Sequence, residues 1–227
     1  MTGFFQLING KFGVSTEIHR NLSLVNIQIG LYVFFTFNPT EVRQTMTRIP
    51  LPTSIETAPV AAQPLLEGVK KMLGSVPNLF RITANSPAAL EGYLGLNTAL
   101  ANGSLAAQTR ERIALAVAQI NGCQYCLAAH TYLGTNVAKL SEAEIAANRA
   151  GKSHDAKADA AVRFAVKLVG ERGHVGDADI AALKSAGYSE AEIVEIVAHV
   201  ALNTLTNYLN SALDTPIDFP VVSAKVA

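Results

Sequence analysis

The pattern of hydrophobic and polar positions from residue 60 onward is that of a helical protein. Apolar residues recur at spacings of three and four, and glycines, prolines and capping residues separate the segments. No convincing period-two alternation follows residue 45. The predicted fold class is therefore all-α. The predicted helices cover residues 65–73, 87–101, 106–120, 123–133, 155–170, 177–186 and 190–213, and a further helix begins after Ser141.

Local signals define where several of these helices begin and end. Ser86 before Pro87 is typical of a helix N-terminus. The two Ser-Glu-Ala-Glu segments, at 141–144 and 189–192, have the spacing of capping boxes. Gly134 is expected to stop the helix that contains the cysteines. Each of these boundaries is predicted by residues beside it in the sequence.

Two finer expectations concern loops and buried faces. The stretch 74–80, which contains a glycine and a proline, is expected to be a loop. In the helix at 106–120, the residues Ile113, Val117 and Ile120 are expected to form the buried stripe.

The first 45 residues differ from the rest of the chain. Residues 22–37 are apolar, β-branched and aromatic. This run is shorter than the ~20 residues of a membrane-spanning helix and contains Asn26 and Gln28, and it starts too late for a secretory signal peptide. We interpret it as one or two strands, or as sequence foreign to the functional protein. The predicted organisation is an extended N-terminal segment at 1–45, without an assigned role, and a helical domain at 46–227.

Composition restricts the partners and the compartment. Hydrophobic residues make up 49% of the 227, which is enough for a sizeable core. Eighteen basic and eighteen acidic residues cancel without a block of like charge, which argues against nucleic acid or an anionic membrane as partner. No Gly-rich nucleotide-binding loop occurs, so no cofactor is predicted. With two cysteines in all, a reducing cytoplasm is the expected compartment.

Both cysteines lie in one Cys-x-x-Cys motif, Cys123 to Cys126, at the predicted start of a helix. A disulfide framework needs several pairs. A helix N-terminus lowers the pKa of a thiol through its unpaired N–H groups and its dipole. His130 lies one turn beyond Cys126, and imidazole titrates near neutrality, so it is the local candidate for proton transfer. The motif predicts a redox dithiol with its own proton-transfer group.

Two further residues belong to the candidate site. Glu111 precedes Cys123 by twelve residues and approaches the cysteine–histidine face if the two helices fold back antiparallel about Asn121-Gly122. A carboxylate there can hold the imidazole tautomer or accept a proton through water, although Glu111 can equally be a solvated helix residue. Tyr125 can donate a hydrogen bond to a peroxide or a bound sulfur, and can equally be a packing residue.

A Cys-x-x-Cys motif can have other roles than a redox dithiol. Two cysteines can be small buried apolar residues, and zinc can be held by Cys123, Cys126 and His130 only if Glu111 serves as the fourth ligand. Covalent haem requires histidine directly after the second cysteine, where Leu127 stands. A thioredoxin-type motif follows a strand, whereas a helix precedes this one. The other histidines of the helical region are interpreted as surface or packing residues: His154, His174 and His199.

The spacing Glu-x₁₁-Cys-x-x-Cys-x₃-His, from Glu111 to His130, resembles the signature of the AhpD-like alkylhydroperoxidases in the carboxymuconolactone decarboxylase superfamily. Residues 76–81 and the tail at 203–220 are similar to the branch described as peroxidase-related. The resemblance covers about residues 46–227, and the residues before it have no counterpart. It implies an AhpD-like all-α fold that assembles into trimers or hexamers.

The resemblance also implies thiol peroxidase chemistry that is independent of haem and flavin. In the family's scheme the second cysteine attacks the peroxide, which corresponds to Cys126, and the first supplies a proton and then forms the disulfide, which corresponds to Cys123. The family's acidic residue and helix histidine relay protons, which corresponds to Glu111 and His130. Well-studied members carry histidine where this chain has Tyr125. The implied electron donor is a thiol reductant, and a dihydrolipoyl protein can fill that role.

The sequence leaves three functions open. The leading hypothesis is an antioxidant oxidoreductase that reduces hydrogen peroxide or alkyl hydroperoxides through a dithiol/disulfide cycle. The second is decarboxylation of a carboxylated lactone, the chemistry of the other superfamily branch, which needs no dithiol. The third is a non-catalytic oligomer whose dithiol only senses oxidation.

Overall fold

The computed structural model describes residues 47–224, and these residues form α-helices and loops without a strand. The all-α fold class is thereby confirmed for that part of the chain. The predicted strands in 22–37 and the segment at 1–45 lie outside the described residues. A 3₁₀ turn at Val60–Ala62 precedes the helices α1 (Gln63–Leu73), α2 (Asn78–Thr83), α3 (Pro87–Ala101), α4 (Ala107–Ile120), α5 (Gln124–Asn136), α6 (Glu142–Arg149), α7 (Ala156–Gly170), α8 (Asp177–Ser185) and α9 (Glu190–Leu213).

Helix α4 is the centre of the packing and contacts α5, α6, α7 and α9. All six residues from Ile113 to Ala118 are buried, which is the pattern of a helix surrounded by protein. Ile113 and Val117 are fully buried as predicted, but Ile120 is 44% exposed, so its place in the buried stripe was wrong. The last turn of α4 has already left the core when the chain reaches the turn at Gly122.

The apolar core of the described residues consists of several clusters. The largest joins α4 to α7, α8 and α9, and a second joins α1, α2 and α3. A third surrounds the cysteines and includes residues of the chain's tail. Burial of each large aliphatic side chain stabilises the fold by about 1.5–3 kcal/mol. The fully buried large side chains of the first cluster include Ile113, Leu183 and Ile196.

Helix α5 is longer than predicted. Gly134 does not stop it, because the helix continues to Asn136 and ends where the backbone N–H of Val137 donates to the carbonyl of Leu133. Gly134 is buried beside Leu140 and Ile145. A glycine inside a helix costs about 1 kcal/mol relative to alanine, and tertiary packing at this position outweighs that cost.

Helix α2 was not predicted, since 74–80 was expected to be a loop. The backbone N–H of Asn78 at its start donates to the carboxylate of Asp218, at 2.8 Å, and the Asn78 side chain donates to the carbonyl of Pro216, at 3.0 Å. Leu79 and Phe80 are buried. The helix is therefore started by a carboxylate from the distant tail, which no local sequence pattern reveals.

The two predicted capping boxes differ. At α9, Ser189 accepts the N–H of Glu192 and the Glu192 carboxylate accepts the N–H of Ser189, so the box is complete. At α6, Ser141 accepts the N–H of Glu144, at 3.2 Å. The Glu144 carboxylate instead binds Arg112 and the residues that follow α6. The second box is half formed because its carboxylate is used for tertiary contacts.

Candidate functional site

The α4–α5 hairpin positions the cysteines. Gly122 has a φ of +66°, a left-handed conformation that suits glycine, and it reverses the chain after α4. Cys123 is the N-cap of α5, and its sulfur accepts the backbone N–H of Cys126 at 3.2 Å. The two cysteines are paired as a disulfide, with their Cα atoms 5.3 Å apart. The motif therefore lies at a helix N-terminus, where a cysteine thiolate is stabilised.

The two sulfurs differ in access. Both residues are buried, Cys123 at 1% and Cys126 at 3% exposure. A cavity of about 680 Å³ is lined by Cys126, together with Tyr125, His130 and Glu111, and Cys123 is not part of its wall. A volume of this size holds a small organic molecule. Chemistry that starts from the cavity therefore meets the sulfur of Cys126.

His130 and Glu111 form a pair in the wall of this cavity. The His130 Nδ1 lies 2.9 Å from the Glu111 Oε2, and the two side chains are 20% and 22% exposed. An ionised carboxylate only accepts hydrogen bonds, so the Nδ1 of His130 carries the proton and donates it. The other ring nitrogen, Nε2, is left to exchange a proton with a reacting group. The arrangement can relay protons beside Cys126.

The hydroxyl of Tyr125 is hydrogen-bonded to another part of the protein. The hydroxyl accepts the backbone N–H of Leu79 at 3.1 Å, and the ring meets Phe219 edge to face at 5.8 Å. Burial raises the pKa of Tyr125 far above its usual value, and the nearby Asp218 carboxylate raises it further. Tyr125 is therefore a neutral phenol that connects α5 to α2 and to the tail.

Helix α9 supplies cavity residues that the sequence interpretation did not include. His199, Asn203, Thr206 and Asn210 line the cavity and follow the spacing of one helix face. His199 is 5% exposed, and its Nε2 has no hydrogen-bond partner among the described residues. The signal that could have identified them is a polar stripe with helical spacing in an otherwise apolar helix.

His199 is a neutral side chain in this wall. Burial, with a smaller contribution from the positive charge of Arg110, lowers the pKa of His199 to about 4. The sequence predicted that His199 is a surface or packing residue. The side chain is packed in the protein, but its position in the cavity wall was not predicted.

Residues 47–224 contain neither a metal-binding cluster nor a membrane-spanning helix. That region contains no group of three or more histidine, cysteine, aspartate or glutamate side chains arranged to hold a metal ion. None of the helices described there is both long and apolar enough to cross a membrane.

The comparison with protein families gives one match. Residues 87–171, which span α3 to α7 and include the cysteine motif, match the carboxymuconolactone decarboxylase family. No curated protein is similar enough to the chain to count as a match.

Solved structures share the fold. An uncharacterised peroxidase-related protein from Ralstonia eutropha JMP134, described as an alkylhydroperoxidase AhpD core, is 25% identical with a TM-score of 0.67, covering 74% of this chain and 90% of its own. A peroxidase-related protein from Silicibacter sp. TM1040 is 26% identical with a TM-score of 0.65 and the same coverage. A variant of the debrominase Bmp8 in complex with 2,3,4-tribromopyrrole is 22% identical, with a TM-score of 0.64 over 76% of this chain and 94% of its own, which is a likeness of fold alone.

Proposed function

Because the helical domain of this chain belongs to the AhpD and carboxymuconolactone decarboxylase superfamily, we propose that it is a thiol-dependent peroxidase for hydrogen peroxide or alkyl hydroperoxides. The observation that carries the proposal is the meeting of Cys126 with the Glu111–His130 pair at one cavity. A redox-capable sulfur and a positioned proton relay are the two parts that such a reaction needs.

In the proposed first half-reaction, Cys126 is the nucleophile. His130 takes the Cys126 thiol proton, and the resulting thiolate attacks the terminal peroxide oxygen. The S–O bond forms and the O–O bond breaks, so Cys126 is oxidised to a sulfenic acid while the peroxide is reduced. The departing alkoxide takes the proton of the Cys123 thiol and leaves as an alcohol. Glu111 stabilises the imidazolium form of His130 during this step.

The second half-reaction closes the disulfide. The Cys123 thiolate attacks the Cys126 sulfur, the S–S bond forms, and the S–O bond breaks. The hydroxide that leaves takes the proton held by His130 and becomes water. The sum is two thiols and one hydroperoxide giving a disulfide, an alcohol and water. Cys123 suits this role because its N-cap position supplies the backbone N–H of Cys126 to the thiolate.

The cycle requires an external reductant and a compartment in which thiols are kept reduced. We propose a thiol reductant that returns two electrons and two protons, with a dihydrolipoyl protein as the candidate, and a cytoplasmic location. We also propose a homotrimer or homohexamer as the working assembly. Tyr125 is assigned a positioning role, since its hydroxyl is already bonded to Leu79.

The order of the cysteines can be tested by trapping the sulfenic acid. In the Cys123→Ser variant, one equivalent of peroxide is expected to leave a sulfenic acid on Cys126, which a dimedone-type probe labels and mass spectrometry locates. In the Cys126→Ser variant, no labelling and no peroxide reduction are expected. Labelling of residue 123 in the second variant, with none of residue 126 in the first, would reverse the assignment.

Two other activities are represented among similar proteins and define the competing outcomes. The matched family is named for lactone decarboxylation, and one structure is of a debrominase. Decarboxylation needs no dithiol, so Cys126→Ser should leave it intact. Turnover of a carboxylated lactone by that variant, without peroxide reduction by the parent, would favour the decarboxylase function.

A further inference from the structure

The polar side chains on the cavity face of α9 differ in whether their hydrogen-bond acceptor lies within the same helix. The Asn203 side chain donates to the carbonyl of His199, at 2.8 Å, and the Thr206 hydroxyl donates to the carbonyl of Asn203, at 2.9 Å. Both bonds stay within the helix. Asn210 is different, because its Nδ2 donates to the sulfur of Cys126, 3.4 Å away. It reaches across to a residue 84 positions earlier in the chain.

This contact lies in a buried part of the cavity wall. Asn210 and Cys126 are both 3% exposed, and both line the cavity. A hydrogen bond to a charged acceptor is stronger where water is excluded. The donors to the two sulfurs are separate, since Cys123 accepts the backbone N–H of Cys126 while Cys126 accepts the Asn210 amide.

The orientation of the amide follows from its partners. The Asn210 Oδ1 has no hydrogen-bond partner among the described residues, so the sulfur contact is what orients this side chain. A disulfide or thiolate sulfur has no proton to donate, so Nδ2 rather than Oδ1 must face it.

We propose that Asn210 is a positioning residue for the redox pair, whose side-chain amide holds the Cys126 sulfur in the thiolate form once the disulfide is reduced. The inference rests on the proposed function for the choice of Cys126 as the nucleophile. It adds a residue from α9 to a site whose other members lie on α4 and α5. The amide acts through the sulfur and does not itself transfer a proton.

Other charged and titratable groups line the same cavity, and the test must hold them constant. Besides the partner cysteine, they face the cavity from α3, α4, α5, α9 and the tail. They are Tyr93, Arg110, Glu111, Tyr125, His130, Tyr132, His199 and Asp218. Changing Asn210 leaves all of these side chains in place. Cys123 is replaced by serine in every protein compared, so this replacement does not differ between them.

The test measures the pH at which Cys126 becomes reactive. In a Cys123→Ser background, where serine is itself a good N-cap, the rate of alkylation by iodoacetamide is followed against pH. Asn210→Leu is expected to raise the midpoint by about one to two pH units, because a hydrogen bond to a charged group is lost. Asn210→Ala, which removes the same amide donor with a smaller side chain, is expected to raise it as well. Asn203→Leu is the matched control and should leave the midpoint unchanged.

The outcomes separate this inference from the proposed function, because the alkylation assay uses no peroxide. Raised midpoints in both Asn210 variants support the inference even if the protein reduces no peroxide. Unchanged midpoints in Asn210→Leu and Asn210→Ala overturn it even if peroxide is reduced. An equal rise in Asn203→Leu also overturns it, since the effect would then be general to α9. If Asn210→Leu fails to fold by circular dichroism, Asn210→Ala decides alone.

Discussion

At the scale of single residues, the sequence predicted the parts of the site that lie close together in the chain. Cys123, Cys126 and His130 share one helix, and Glu111 lies on the helix before it. Spacing along a hairpin is enough to bring such residues together. Asn210 and His199 could not be placed in this way, because their contacts with the cavity depend on how α9 packs against α4 and α5.

The Glu111–His130 pair gives a prediction about rate. Glu111→Gln and His130→Ala are each expected to slow peroxide reduction by ~10²–10⁴-fold, because a positioned acid–base group is lost. Steady-state rates measured between about pH 6 and pH 9 provide the check. His174→Ala, a change at an exposed histidine outside the cavity, is the matched control. A Glu111→Gln profile identical to that of the parent would remove Glu111 from the site.

At the scale of elements, boundaries with local caps were predicted well. Ser86 and Ser189 begin α3 and α9 as expected. The boundaries that failed depend on distant residues, since α2 is started by the Asp218 carboxylate and α5 continues through a packed Gly134. Glu144 is a further example of dependence on distant residues. Its carboxylate binds partners on α4 and beyond α6 and therefore does not complete the capping box.

Glu144 connects α6 to its neighbours. Its carboxylate is bound by Arg112 at 2.7 Å, by the Asn148 and Ser153 side chains, and by the backbone N–H of His154. Burial alone would raise the pKa of Glu144. The hydrogen bonds from Ser153, Asn148, His154 and Arg112 outweigh burial and lower the pKa to about 2.

Replacing this carboxylate should destabilise the fold. Glu144→Gln is expected to lower the free energy of unfolding near neutral pH by about 3 kcal/mol, because a buried ion pair loses one partner. Glu142→Gln, at an exposed position in the same helical turn, is the control. Since the folded pKa lies below the unfolded one, the carboxylate's contribution is full above about pH 4.5 and falls as the pH approaches about 2. Denaturant unfolding of parent and variant should therefore converge over that range, and a constant difference would contradict the assignment.

At the scale of the whole molecule, the spacing of hydrophobic residues predicted the all-α fold class. It did not predict how the other helices pack around α4. The middle of α4, Ile113–Ala118, is buried on all sides and has no polar face to reveal its orientation, so the sequence could not show that α9 and the tail close around the cysteines. The cavity is made by five parts of the chain, namely the end of α1 with the loop that follows it, α2–α3, the α4–α5 hairpin, α9 and the tail at Asp218–Pro220. Its polar wall is therefore a property of the assembled domain.

The central claim is that the dithiol turns over. The most direct measurement is the number of peroxide molecules reduced per protein chain, with hydrogen peroxide and with an alkyl hydroperoxide, in the presence of an excess dithiol such as dihydrolipoamide. Repeated turnover by the parent, and none by Cys126→Ser, is expected because each disulfide is reduced back to the dithiol. A single oxidation per chain that does not repeat would make the protein a redox sensor, and no reduction of either peroxide would contradict the proposed function.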